Sequence, residues 1–269
     1  MDGLVIGECA VGEHDRFLTV LTANDGKITF IAKGARSMRS KTAPICRVFT
    51  YANFEYYEKN GKRWLSGGSV IDSFFDISRD VDRFALGSYV CQVAAEVSGE
   101  GVQADELLRM CLNSFYAIAH ELKPLWLIKA AFELFCMRIS GLEPDLALCS
   151  ECRGELLVGE NERREFLWLD VMNGHVICDE CMGNRSRVFT ADGEETIDRF
   201  MTKNIFIPID TSALVAMRYV LSAPVKRIFA FGISDSESAD MFSRAVETYL
   251  LNHLERNFDT LDFYKTCKE

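Results

Sequence analysis

Two cysteine pairs, Cys149-Ser-Glu-Cys152 and Cys178-Asp-Glu-Cys181, restrict this chain more than any other feature. Two residues between paired cysteines let a tight turn aim both sulfurs at one point, and four thiolates suit tetrahedral Zn²⁺. The 25 residues from Arg153 to Ile177 can form a short β-hairpin that returns the second pair to the first. Its strands are expected at Arg153–Val158 and Glu165–Val171, with Gly159-Glu160-Asn161-Glu162 as the turn. Four protein ligands close the coordination shell, so the implied zinc is structural and offers no position to water or substrate. His175 precedes Cys178 by three residues and could exchange in as a ligand. With four thiols already in place, it reads better as a turn residue.

Disulfides and ordinary buried thiols are the competing readings of these cysteines. Six more (Cys9, Cys46, Cys91, Cys111, Cys136 and Cys267) are scattered through apolar segments, as free core thiols would be. Met1-Asp2-Gly3-Leu4 opens no basic stretch followed by an apolar run, so no signal peptide is expected. In a reducing cytosol, clustered CxxC pairs favour metal over disulfides. The most apolar stretch, Leu125 to Ile139, is interrupted by Lys129, Glu133 and Arg138 and is short for a bilayer span, so no membrane partner is expected.

A net charge of −10 over 269 residues speaks against a polyanionic partner until its distribution is read. Residues 1–80 carry a net +1 and residues 81–269 a net −11. Within the first part, Lys27 to Arg63 holds nine basic residues against Glu55 and Glu58 alone. Such a local excess in an acidic protein fits either a phosphate-binding face or a plain solvated surface.

The first 75 residues read as five short strands: Leu4–Val11, Phe17–Thr22, Lys27–Lys33, Arg47–Glu58 and Arg63–Asp72. Asn24-Asp25-Gly26 and Asn60-Gly61 supply the turns, since these residues tolerate positive φ. Five antiparallel strands in this length suit a small closed barrel of the OB type. Alternation along the fourth strand places Val48, Ala52, Phe54 and Tyr56 on one face and Phe49, Tyr51 and Tyr57 on the other. One set must be core. The other either packs on a neighbouring domain or stacks nucleic-acid bases, and packing is the commoner use of an aromatic.

Helical spacing follows at Phe84–Val97, Asp105–Leu122 and Leu125–Ser140, the last bracketed by Pro124 and Gly141. It is apolar on nearly all sides, as the centre of a helical domain would be. Further helices are expected near Glu194–Met201, Ser212–Leu221 and Ser236–Arg256. The fold class is therefore α+β: an N-terminal OB-fold β-barrel (1–78), then an α-helical domain (79–144 and 188–269) interrupted by a four-cysteine, zinc-finger-like insertion (145–187). No GxxxxGK[ST], HExxH or GxSxG occurs, and Gly99-Glu-Gly101-Val-Gln-Ala104 joins two helices rather than a strand to a helix. His14, His120, His175 and His253 bear no spacing relation to a nucleophile, so no enzymatic activity is expected.

Leu4-Val5, Glu13-His14-Asp15-Arg16, Leu21-Thr22, Gly26-Lys27 and Lys33-Gly34-Ala35-Arg36…Ser40 resemble the opening of the bacterial recombination mediator family RecO. Gly141-Leu142-Glu143-Pro144 running into the first CxxC is similar to the zinc module of many of its members, and Tyr249-Leu250…Leu254-Glu255-Arg256…Leu261 fits their ending. The resemblance spans nearly the whole chain in order.

It implies DNA repair by homologous recombination in the bacterial cytoplasm, associated with the nucleoid. Members bind single- and double-stranded DNA and anneal complementary strands. With RecR they help load RecA onto strands coated by single-stranded-DNA-binding protein, whose C-terminal tail they take. The implied phosphate contacts here are Lys33, Arg36, Arg39 and Lys41, followed by Arg16, Arg47, Lys62 and Arg63. Arg153, Arg163, Arg164, Arg185 and Arg187 near the cysteines either extend that face or offset the net −2 of a tetrathiolate zinc. A protein-binding scaffold without nucleic-acid affinity is the alternative reading.

Overall fold

The computed structural model describes residues 1–37, 39–157, 166–185, 188–189, 195–196 and 204–267. They divide into two compact units, one of residues 1–132 with 257–269 and one of residues 133–256.

In the first unit, strands β1 (Asp2–Val11), β2 (Asp15–Thr22), β3 (Gly26–Ala32), β4 (Thr50–Lys59) and β5 (Lys62–Ser73) close a barrel in the order β1-β2-β3-β5-β4. Every neighbouring pair is antiparallel except β3 with β5, whose parallel pairing matches Phe30 with Arg63 and Ile31 with Trp64. Closure removes the open edges that a five-stranded sheet would expose. Val5, Leu18, Val20, Ile28, Phe30, Ala52, Phe54 and Leu65 fill the interior, and Phe30 stacks on Phe54 with ring centroids 5.4 Å apart.

The fourth strand starts three residues later than its pattern suggested. Ala43–Cys46 forms a 3₁₀ turn after Thr42, and Phe49 takes φ of 68° before the strand begins. That kink turns the Phe49 ring out of the barrel wall against Phe84 and Phe115, at 5.8 and 5.2 Å, while its N–H donates to Val5 O. Phe49 is thus a packing aromatic. Tyr57 is not: it is half exposed.

Helices α1 (Val81–Val97), α2 (Asp105–Ala119) and α3 (Leu125–Ile139) follow. Asp80 caps α1 by accepting from the amides of Asp82 and Arg83. The hairpin between β2 and β3 is pinned to the α1–α2 loop: Lys27 N donates to Gly99 O, and Gly101 N to Asp25 O. Gly26, with φ of 61°, permits the approach, because a Cβ there would stand 2.1 Å from Gly99 O. Helix α3 is buried on all sides, including Lys129 and Glu133 one turn apart. It ends at Gly141 (φ 72°), where Leu142 N reaches back to Met137 O. Helix α7 (Asp259–Cys267) had no counterpart in the sequence reading, and its approach lays Phe258 on Tyr89 of α1, ring centroids 5.8 Å apart.

In the second unit, β6 (Leu167–Asp170) pairs with β7 (His175–Cys178) on one side and β10 (Phe206–Ile209) on the other. The cysteine module therefore differs from its expected hairpin. The strand at 167–170 pairs forward with the segment carrying Cys178, and the described part of the first expected strand, 153–157, contributes only an isolated bridge between Leu148 and Glu155; Val158 lies outside the described residues. The expected turn at Gly159–Glu162 lies outside the described residues. Two short strands, β8 (Val188–Phe189) and β9 (Glu195–Thr196), pair with each other. This replaces the start of the helix expected near Glu194–Met201, the rest of which lies outside the described residues.

A short helix, α4 (Asp179–Arg185), follows β7 directly. Helices α5 (Thr211–Ser222) and α6 (Ser236–His253) fall close to their expected positions, capped by Asp210 and Asp235. Arg138 donates to Leu221 O and Ala223 O at the end of α5, and Arg218 of α5 donates to Leu146 O and Ala147 O. No described helix is long and apolar enough to cross a membrane.

Candidate nucleic-acid interface and metal centre

Cys149, Cys152, Cys178 and Cys181 converge as the spacing required, with all four sulfurs within 4.8 Å of one another. The first pair sits on a tight knuckle: Arg153, at φ of 61°, returns its N–H to Cys149 O, and Cys149 N donates to Gly154 O. Ser150 N on Val176 O ties this knuckle to β7. The second pair straddles the end of β7 and the first turn of α4, which the sequence reading had not placed as a helix.

Cys178 N donates to Cys149 Sγ at 3.3 Å. Burial opposes ionisation of the Cys149 thiol, yet the amides of Cys178, Cys152 and Glu151 outweigh it and bring its pKa down to about 6. Cys181 is pushed up to about 12 by burial and by its three neighbouring thiols, and Cys178 rises chiefly through burial, with the thiols of Cys149 and Cys152 adding to it. Four crowded thiols resist ionising together, and a dication removes that conflict. The donor set therefore fits a metal ion held by four sulfurs and leaves no position open. His175 is outside the cluster. Its Nε2 faces the buried carboxylate of Asp170 at 3.7 Å, while Asp170 also accepts from the Asn173 amide and side chain and from Asn204. Arg153 is exposed beside the knuckle; Arg163, Arg164 and Arg187 lie outside the described residues, as does the side chain of Arg185.

The basic residues of the barrel fall into two groups. The start of the segment after β3 is hydrogen-bonded to the β1–β2 turn. Gly34 N donates to Asp15 Oδ1 at 2.8 Å, Arg36 N to His14 O at 3.0 Å, and the Arg36 guanidinium to Gly12 O at 2.8 Å. These bonds fix the start of the loop, and Arg39 and Lys41 further along are both exposed and without an ion pair among the described residues. Lys33 is exposed with Nζ 4.8 Å from the centre of the Trp64 ring. Lys62, exposed at the β4–β5 turn, likewise has no ion pair among the described residues.

Of the remaining three, two are held by carboxylates and one lies elsewhere. Arg16 pairs with Glu8, and Arg63 bridges Glu58 at 3.4 Å and Glu100 at 3.3 Å. Arg47 lines a cleft with Pro44, Phe49, Val70 and Phe74, apart from the loop. Lys33, Arg36, Arg39 and Lys41 thus form the coherent set. What the sequence reading missed is the aromatic content of the neighbouring barrel wall, where Phe17 and Trp64 stand outside the core. Alternation in β2 and β5 carried that signal, but only the strand order brings the two rings onto one face.

Family comparison agrees with this architecture. Residues 1–74 match the family described as Recombination protein O N terminal, and residues 78–164 match Recombination protein O C terminal. A DNA repair protein RecO of Acetivibrio thermocellus is 26% identical over 265 residues, covering 98% of this chain and 95% of that protein. The DNA repair protein RecO of Clostridium acetobutylicum is 24% identical over 267 residues, covering 99% and 97%. With a closed five-stranded barrel, the helices that follow it and the matches running through both parts, this chain belongs to the RecO family of DNA repair proteins.

Proposed function

We propose that this protein binds single- and double-stranded DNA through its barrel and anneals complementary strands during recombinational repair. The observation that supports this best is the loop of Arg36, Arg39 and Lys41, braced against the β1–β2 turn in an otherwise acidic chain. Annealing needs phosphate repulsion neutralised while base edges stay free to pair. Cations fixed along one barrel face supply that without reading sequence. Lys33 joins the loop, with Lys62 at the adjoining turn; Arg16 and Arg63 are weaker contributors because carboxylates hold them, and Arg47 because it lies at a cleft apart from the loop. The acidic remainder confines DNA to this face by repulsion.

The four cysteines hold one structural Zn²⁺ that fixes the knuckle, β7 and α4 relative to one another. RecR and the C-terminal tail of single-stranded-DNA-binding protein are its partners in helping to load RecA, in the cytoplasm at the nucleoid.

The test is annealing of two complementary oligonucleotides across a salt series, with an Arg36→Glu/Arg39→Glu variant alongside. Acceleration by the wild type that weakens with salt and is lost in the variant supports the reading. Failure of the wild type to bind or anneal DNA at low salt would leave a scaffold that binds proteins alone.

A further inference from the structure

The outer wall of a small barrel ordinarily alternates polar residues against its apolar interior. Here one row departs from that rule. Strand register matches Phe17 of β2 with Ile31 of β3, Ile31 with Trp64 of β5, and Trp64 with Tyr57 of β4. Their chain neighbours Leu18, Phe30, Leu65 and Tyr56 face the core, so all four members of the row point outward. Phe17 is 39% and Tyr57 51% exposed, and Ile31 and Trp64 are half-buried between them. The inner pair of the row is partly covered, but Phe17 and Tyr57 leave apolar ring surface open to solvent at its two ends, more than barrel stability calls for.

Charge says what suits it. Lys59 and Lys62, paired across β4 and β5, stand two residues to one side of the row, and Lys33, one residue past the end of β3, stands two residues to the other; all three are exposed. Glu55 is the carboxylate on that face of β4. Flat rings interleaved with ammonium groups match a polymer that offers bare ring faces and a phosphate at every unit. In a duplex the base faces are stacked inside and cannot reach such a row. Unpaired bases can.

We propose that the Phe17–Trp64–Tyr57 row is a stacking track for single-stranded nucleic acid, so that this face selects unpaired strands over duplex. The inference rests on the barrel being the nucleic-acid-binding unit, and adds which form it grips. Lys33 lies over Trp64 at 4.8 Å. A base entering the row displaces the ammonium from the ring toward the phosphate of that nucleotide. The exposed cation–π contact surrendered is weaker than the stack gained.

The experiment is a titration of the full-length protein with oligodeoxythymidylate, read by tryptophan emission and by anisotropy of the labelled strand, with a duplex of matched length in parallel. Emission should be quenched on binding by the wild type and not by Trp64→Phe, which removes no hydrogen bond because the indole N–H has no partner among the described residues. A Phe17→Ala/Tyr57→Ala variant should lose at least about tenfold in single-strand affinity, with duplex affinity and the salt slope unchanged. Binding with unaltered emission and an unaffected double variant would overturn the track and leave the phosphate-binding loop standing. No binding of any strand by the wild type at low salt would overturn both. A double variant that binds strands normally but changes sedimentation would assign the row to a protein contact and overturn the track.

Discussion

Neutralising Arg39 and Lys41 together, as Arg39→Gln/Lys41→Gln, isolates the electrostatic role of the loop. Both side chains are exposed, and neither makes a side-chain hydrogen bond or ion pair among the described residues. The substitutions should therefore leave stability within about 0.5 kcal/mol. Arg36 is left in place because its guanidinium on Gly12 O helps hold the loop. If each of the two cations meets one phosphate of a single strand, each contributes about 0.7 to the slope of log affinity against log salt. Losing both lowers the slope by about 1.4. The electrostatic term fades toward 1 M salt, so the deficit is about tenfold at 0.2 M and about sixtyfold at 0.05 M. Anisotropy titrations of one labelled strand across a salt series give both lines. Convergence at high salt is the expected signature. Parallel lines, or superimposed ones, would mean that these cations touch no phosphate and that the loop is not the contact surface.

Other consequences can be checked independently. Replacing buried Cys178 by Ser should abolish metal retention in elemental analysis and cost several kcal/mol of stability in residues 133–256, because metal binding is folding free energy there; Cys9→Ser should do neither, and full metal content in the Cys178 variant would refute the ligand set. Gly26→Ala places a Cβ 2.1 Å from Gly99 O and 2.5 Å from Val102 O at φ of 61°. It should lower the melting temperature of the barrel by far more than an Ala at Gly12, which has the same sign of φ but open space around it. The Asp235 carboxylate is held below its ordinary value by the amide and hydroxyl of Ser238 at the start of α6. Its contribution is present above the ordinary carboxylate range and lost as pH falls through the depressed folded value. The stability gap between wild type and Asp235→Ala, measured by urea titration, should close in acid and stay constant from about pH 6 to 8. The Cys46 thiol, pushed up to about 11 by burial in the barrel, should resist alkylation at neutral pH while the exposed Cys9, which is no metal ligand, reacts.

Much of the architecture follows from local sequence. The CxxC spacing favoured four sulfurs near one point over disulfides or scattered thiols, because a two-residue spacer aims both thiols of a pair the same way, and the cluster forms as expected. Turn chemistry at Asn24–Gly26 and Asn60-Gly61 bounded the strands, since few residues accept positive φ. Capping and stop signals placed α3 to within a residue. Failures arose where a nonlocal partner decides: 195–196 is a strand only because 188–189 pairs with it, and β6 turns toward Cys178 rather than back to Glu155.

For the candidate interface, composition marked the basic loop, but not which cations are free of carboxylates. Arg16 and Arg63 look equivalent to Lys41 in sequence and differ because Glu8, Glu58 and Glu100 fold against them. The aromatic row is the clearest case. Phe17, Ile31, Trp64 and Tyr57 are each legible as outward positions of their own strands, yet nothing local aligns them. The parallel pairing of β3 with β5 does, because it joins strands separated by the loop and by β4, and closing the barrel fixes their register. Sequence sets which side of a strand a residue takes, through the two-residue period of the backbone. Which residues become neighbours across strands is decided by the long-range hydrogen bonds that close the barrel.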